Sequence, residues 1–228
     1  MKVVRLDWDS DFFGYEVGSA SDFSYSVQVL EGVENAPYQL IYLGLDQAEP
    51  KLPNHFFLAD EKLILCKSFQ SDHTYLVHSN IVELTENSDK LVSLALQSGL
   101  YSRFKVDPNF KENEFERMYA KWVENSLNGK QHQKVLGYVE ENSLLGFITI
   151  TEKSGVLHIG LIAVDEAARG KGIGSVLLNW VFNYATLHDF KQVNVVTQAA
   201  NTGALNFYEQ HGFEIISRTF LYHVWKLN

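Results

Sequence analysis

Three alternate glycines in Arg169-Gly170-Lys171-Gly172-Ile173-Gly174 stand between an apolar run, Val156–Val164, and a segment with helical spacing. Glycines at this spacing let successive backbone N–H groups turn toward one point with no Cβ in the way. A helix beginning there adds the positive end of its dipole, so the chemistry served is the binding of a phosphate or pyrophosphate. A tight strand-to-helix turn would use the same residues. Two familiar glycine loops do not fit. A dinucleotide fingerprint needs glycine at 175, where Ser175 stands. A Walker loop needs Ser or Thr where Gly172 stands, and glycine in place of Asp165.

A second pattern is Asn201-Thr202-Gly203-Ala204-Leu205-Asn206-Phe207-Tyr208-Glu209-Gln210-His211-Gly212-Phe213. Asn201 or Thr202 can cap a helix that Gly212 ends, and Tyr208 lies one turn beyond Ala204 on the same face. Alone, Asn201 reads as a cap and Tyr208 as packing. A tyrosine (ordinary pKa ≈ 10) can also give a proton to a thiolate (≈ 8.5) and regain it. With strict strand alternation His158 shares a face with Ile162 and Val164. It is either a base near neutral pH or a packed strand histidine. The other histidines lack metal-ligand spacing, and one cysteine, Cys66, makes neither a zinc site nor an internal disulfide. No metal is expected, and the setting is expected to be reducing and cytoplasmic.

The elements that position these groups follow from periodicity. Strands are expected at Tyr38–Leu45, Phe56–Phe69, His78–Leu84, Lys134–Glu140, Leu144–Thr151, Val156–Val164 and Gln192–Gln198, with two-strand material over Phe213–Leu227. Helices are expected from Thr85 or Ser88 to Gly99, from Glu112 to Leu127, over Gly172–His188 and over Thr202–His211. This order predicts an α+β or mixed α/β fold, a mostly antiparallel sheet carrying a few helices. The 228 residues allow one large domain, or a small front one joined to a standard one. A front portion ending near Asp72 is read as a small domain over 1–74, followed by 75–228. Phe56–Phe69 and Phe213–Leu227 share an aromatic start and an apolar, basic end; they are either copies of one half-module or two ordinary strand pairs. Nineteen Lys and Arg against 28 Asp and Glu leave a net charge of −9, which argues against broad nucleic-acid binding. No apolar run reaches membrane-span length, and acid follows too soon after Met1 for a signal peptide.

In their order and spacing the two motifs resemble the GCN5-related N-acetyltransferase (GNAT) superfamily. Its phosphate-loop pattern, Arg/Gln-x-x-Gly-x-Gly/Ala, is matched by Arg169, Gly172 and Gly174. The later pattern is matched by Asn201, Ala204, Tyr208, Gly212 and Phe213, and the resemblance runs from about Tyr75 to Asn228. It implies a central twisted sheet with flanking helices and acetyl-CoA as co-substrate. The loop of Arg169, Gly170, Lys171, Gly172, Ile173, Gly174 and Ser175 would hold the pyrophosphate. Leu161, Ile162, Ala163 and Val164 would pair with the pantetheine arm, and a backbone N–H near Ile162 would serve the oxyanion. Asn201 would contact the arm, and Tyr208 would protonate the leaving thiolate. His158 falls where histone-acetylating members carry a glutamate base.

Trp8-Asp9-Ser10-Asp11-Phe12-Phe13-Gly14, Ser102-Arg103-Phe104 and Tyr119-Ala120-Lys121-Trp122-Val123-Glu124-Asn125 look like the bacterial TDP-fucosamine acetyltransferases. Those enzymes also carry a small N-terminal domain. The likeness implies an acyltransferase acting on a nucleotide-linked 4-amino-4,6-dideoxysugar for lipopolysaccharide or other surface polysaccharide, and a homodimer. Ser102, Arg103, Phe104, Tyr119 and Trp122 are the substrate candidates, with Arg103 and Lys105 for pyrophosphate and the aromatics for the base. Two other readings stand beside it: acetylation of a peptide or polyamine amine, and a CoA-binding module without catalysis.

Overall fold

The computed structural model describes residues 2–23, 26–69, 75–111, 113–129 and 133–226. The front of the chain supplies β1 (Val4–Arg5), α1 (Asp7–Phe13), β2 (Val17–Phe23), α2 (Val27–Glu34), β3 (Leu40–Leu45) and β4 (Phe56–Ser68). Next come β5 (Ile81–Glu83), α3 (Asp89–Ser98), a single turn α4 (Arg103–Val106) and α5 (Glu114–Leu127). The antiparallel run β6 (Gln133–Glu140), β7 (Ser143–Lys153) and β8 (Val156–Val164) leads to α6 (Ile173–Leu187), β9 (Gln192–Gln198), α7 (Thr202–Gln210) and β10 (Glu214–Trp225).

Among the described residues ten strands form one sheet in the order β1-β2-β3-β10-β4-β9-β8-β7-β6-β5. It is mostly antiparallel, as the element order predicts; β2–β3 and β8–β9 are parallel. Helix α6 packs Ile173, Leu177, Leu178, Val181 and Phe182 on one face against Leu63 and Leu65 of β4 and Leu157 and Ile159 of β8. On the other face α3, α4 and α5 bury Leu91, Leu94, Phe104, Phe115, Met118 and Val123. No helix among the described residues is long and apolar enough to cross a membrane.

One connectivity occurs twice. Parallel strands joined across a helix (β2–α2–β3 and β8–α6–β9) are each followed by a strand that leaves for the other half. β4 pairs with β9 and β10 with β3, and β4 and β10 lie side by side at the centre. The two segments alike in sequence are therefore antiparallel neighbours. The expected boundary at 74/75 and Asp72 lie at or within residues outside the described ones, and the segments on either side contribute to the same sheet.

Several boundaries move. Phe213–Leu227 is not a strand pair: β10 is one strand, its register with β4 shifting between Ile215 and Ser217 and between Leu221 and Tyr222. Leu227, and Glu112 as a helix start, fall outside the described residues, and α5 begins after Asn113. Ser88 does cap α3, accepting from the Leu91 N–H, but only Ile81–Glu83 of the expected His78–Leu84 is strand. Helices α1 and α2 are elements that periodicity left unassigned. Both are short, and α1 owes its end to Gly14 at φ 76°.

Candidate active site

The sheet opens between β8 and β9. Their parallel pairing covers only Leu157–Ile159 against Val193–Val195. Beyond that point β8 stays with β7 and β9 stays with β4. The Gly160–Val164 edge of β8 thus has backbone groups with no strand beside them, a row suited to an extended ligand chain. At the fork β8 bulges, Gly160 and Leu161 standing opposite the single Thr149. The Leu161 N–H donates to Thr149 Oγ1 at 2.8 Å. A Cβ on Gly160 would lie 2.7 Å from that oxygen, so the bulge needs glycine there.

The bulge corrects the alternation expected for His158. Leu157 and Ile159 pack toward α6, and after the extra residue so do Ile162 and Val164. His158 consequently faces the opposite side from Ile162 and Val164. It is not among the residues lining the cleft, and burial, with Lys153 nearby, lowers its pKa.

Beyond β8, Gly170 and Gly172 take φ 79° and 78°. Nothing lies within 4 Å of where their Cβ atoms would stand, so backbone conformation alone demands glycine. Gly172 is the N-cap of α6 and supplies no side chain to its first turn, leaving those N–H groups for a ligand. Gly174 packs α6 onto α7: a Cβ there would meet the Phe207 ring at 3.1 Å. His211 Nδ1 donates to the Phe207 carbonyl at 2.7 Å, and Nε2 meets Ser175 Oγ at 2.9 Å, tying the first turn of α6 to the end of α7. Arg169 reaches the Val164 carbonyl through Nε (3.3 Å) and Gln97 Oε1 through Nη2 (3.2 Å). Two left-handed glycines, an uncapped helix start and exposed Lys171 fit a pyrophosphate.

At the fork lies a cleft of ≈ 300 Å³. Gly160, Leu161 and Ile162 form one wall, and Val196, Thr197 and Gln198 the other. Asn201, Ala204 and Tyr208 close one side; Ser102, Arg103, Phe104, Tyr119 and Trp122 close another, so the five substrate candidates come together beside Tyr208. Asn201 Oδ1 accepts the Ala204 N–H at 3.1 Å, the cap expected of it. Tyr208 is buried with Phe207 and Phe213 around its ring, and burial raises its pKa, so it stays protonated at neutral pH. The Arg103 guanidinium lies over the Tyr42 and Phe104 rings at 4.2 and 4.6 Å, and its buried Nε has no hydrogen-bond partner among the described residues. Asp60 and Lys62 of β4 also line the cleft. Sequence reasoning missed both, along with Thr197 and Gln198, because no local pattern tells that β4 crosses into this half. A neighbouring cleft of ≈ 540 Å³ shares Trp122, Gly160 and Leu161 and adds Trp8, Asn125, Gln133 and Thr151.

Helix α4 carries Arg103 and is pinned at its end. Asp107 Oδ2 accepts from His223 Nδ1 at 2.6 Å and from Trp225 Nε1 at 2.8 Å, with His223 and Asp107 side chains fully buried. Among the described residues no three His, Cys, Asp or Glu side chains gather as metal ligands.

Fold and site together define a mixed α/β protein whose sheet splays into a fork beside a glycine-rich loop and an uncapped helix start. The model of the acetyltransferase (GNAT) family matches residues 98–213, and the chain belongs to that family. The dTDP-fucosamine acetyltransferase of Escherichia coli O6:H1 is 30% identical over 57% of this chain and 56% of its own. The spore coat polysaccharide biosynthesis protein SpsD of Bacillus subtilis is 24% identical over 61% of this chain and 48% of its own. These matches thus span about half the length of the curated relatives. A functionally unknown conserved protein from Staphylococcus epidermidis shares the fold, with TM-score 0.60 at 14% identity over 95% of this chain and 88% of its own.

Proposed function

We propose that this chain transfers acetyl from acetyl-CoA to the 4-amino group of a nucleotide-linked 4-amino-4,6-dideoxysugar such as dTDP-4-amino-4,6-dideoxygalactose, for surface polysaccharide. The observation that carries the reading is the cleft itself. Tyr208 and Asn201 line it together with Arg103, whose buried Nε lacks an acceptor among the described residues. A diphosphate offers that acceptor, and Trp122 and Trp8 flank the space in which a base would lie. The similarity to a fucosamine acetyltransferase and to a polysaccharide-biosynthesis protein supports the same acceptor class.

In this reading the glycine loop holds the CoA pyrophosphate, and the free edge of β8 orients the pantetheine arm. The Ile162 backbone N–H meets the developing oxyanion, and Tyr208 protonates the departing sulfur. The acceptor is a small molecule taken up in the cytoplasm, with neither membrane nor nucleic acid involved, by a homodimer.

The test is CoA-thiol release from acetyl-CoA with dTDP-4-amino-4,6-dideoxygalactose, run beside polyamines and peptide amines. Release with the sugar alone, and a product heavier by one acetyl group, is the expected outcome. Release only with peptides or polyamines would replace the acceptor. No release together with no acetyl-CoA binding would point to neither activity nor cofactor.

A further inference from the structure

Of the described residues that line the cleft, Asp60 is the one bearing a carboxyl or imidazole. Asp60 stands on β4, in register with Leu221 of β10, two residues from Lys62, which faces Gln198 of β9. It is 9% exposed, and its Oδ1 is wholly buried with no hydrogen-bond partner among the described residues. A buried acceptor oxygen without a donor is costly. A protonated or neutral amine in the cleft carries the donor it lacks.

We infer that Asp60 is the group that holds the acceptor amine and takes its proton, so that a strand of the front segment supplies the base for a reaction whose remaining parts come from the rear. The inference rests on the reading above that an amine is acetylated in this cleft. In the step, the Asp60 carboxylate accepts one proton from the ammonium, and the freed lone pair forms the C–N bond at the thioester carbonyl. The C–S bond then breaks, and sulfur takes the Tyr208 hydroxyl proton. Tyr208 regains a proton from the nitrogen as the amide forms, and Asp60 returns its own to solvent.

The surroundings suit a base working near neutrality. Burial raises the Asp60 carboxyl to about 6, against the lowering influence of Arg103 on α4, Gln198 on β9 and Lys62 on its own strand; Glu61 raises it further. Tyr119 of α5 and Tyr208 of α7 face the same space and stay neutral. His158, the base expected from strand alternation, lies outside the cleft lining.

The test compares wild type with Asp60→Asn by acetyl-CoA titration and by the pH dependence of kcat/KM for dTDP-4-amino-4,6-dideoxygalactose. Acetyl-CoA affinity should be unchanged, kcat/KM should fall about 10²–10³-fold, and the acidic limb of the profile should disappear. A variant within about threefold of wild type that keeps the limb overturns the proposal. Should Asp60→Asn not melt cooperatively, Gln198→Leu takes its place. Losing that amide should move the acidic limb upward, and an unmoved limb overturns the proposal. Failure of the function reading shows separately, before any substitution, as wild type that binds no acetyl-CoA or acetylates no amine, and it takes the Asp60 inference with it.

Discussion

At the scale of single residues, the cleft separates groups that line it from groups that do not. Tyr208 is buried, its pKa is raised, and it lines the same space as Asn201 and Ile162. Replacing it with Phe keeps the ring packed between Phe207 and Phe213 and removes the proton. The expected result is kcat lower by about 10²-fold, with acetyl-CoA affinity changed less than about twofold. Single-turnover kinetics and a binding titration read these separately, and unchanged turnover would dismiss the acid role. His158→Ala is the converse case. Because the Gly160–Leu161 bulge turns His158 away from Ile162, its loss should leave the pH–rate profile in place, and a lost near-neutral limb would restore it as a base. Motif spacing made Tyr208, Asn201 and the glycine loop legible in the sequence, since both patterns are local. The bulge was not legible: the residue that breaks alternation, Gly160, shows its purpose only against Thr149 on the neighbouring strand.

At the scale of elements, what matters is how a single helical turn is held where Arg103 can reach the cleft. One turn has almost no stability of its own. Ser102 caps α4, and Asp107 at its end is fastened to β10 by His223 and Trp225. Burial lowers the His223 pKa to about 4, more than the neighbouring carboxylate raises it. The ring therefore stays neutral, its Nδ1–H on Asp107 and its Nε2, beside Tyr42 and Phe110, without a partner among the described residues. The His223 and Trp225 hydrogen bonds help hold Asp107 below the usual carboxylate range although burial pulls it up. Both depressed values act in one direction. The His223 contribution is complete above the unfolded pKa near 6.5 and is lost as pH falls toward about 4; Asp107 adds its loss below about 3.9. Urea unfolding should show stability falling as pH drops across the upper window, by about 1 kcal/mol per pH unit at most. His223→Asn can still donate to Asp107 but cannot titrate there. It should start less stable by about 1–3 kcal/mol and lose less between pH 6.5 and 4.5. An equal slope in both proteins would remove His223 as the origin of the acid sensitivity. The Ser102-Arg103-Phe104 segment was conspicuous in the sequence, yet its support lies 116 residues away from Asp107. No spacing rule links the two.

At the scale of the molecule, the division that seemed natural in the sequence cuts across the sheet. A front portion over 1–74 and a rear portion over 75–228 follow from proline placement and from the reach of the family patterns. Yet β4 of the front lies between β9 and β10 of the rear, paired with β9 from Lys62–Gln198 to Ser68–Gln192 and with β10 from Val224–Phe56 to Glu214–Cys66. In return β10 gives its other edge to β3, from Trp225–Leu40 to Phe220–Leu45. Neither half has a complete sheet without the other's strand, and the rear half has no Asp60 or Lys62 without the front. Two independently folding domains would melt in two steps and allow the rear to be isolated. The exchanged strands argue for one cooperative unit. Calorimetry of the full chain should give a single transition whose calorimetric and van't Hoff enthalpies agree. A chain of residues 75–228 alone, which leaves β9 and β10 with unpaired edges, should show no cooperative melt and no acetyl-CoA binding. Two resolved transitions, or a rear fragment that melts cooperatively and binds acetyl-CoA as the full chain does, would show that the exchange is dispensable. The front segment would then be an attachment rather than part of the body that folds around the cleft.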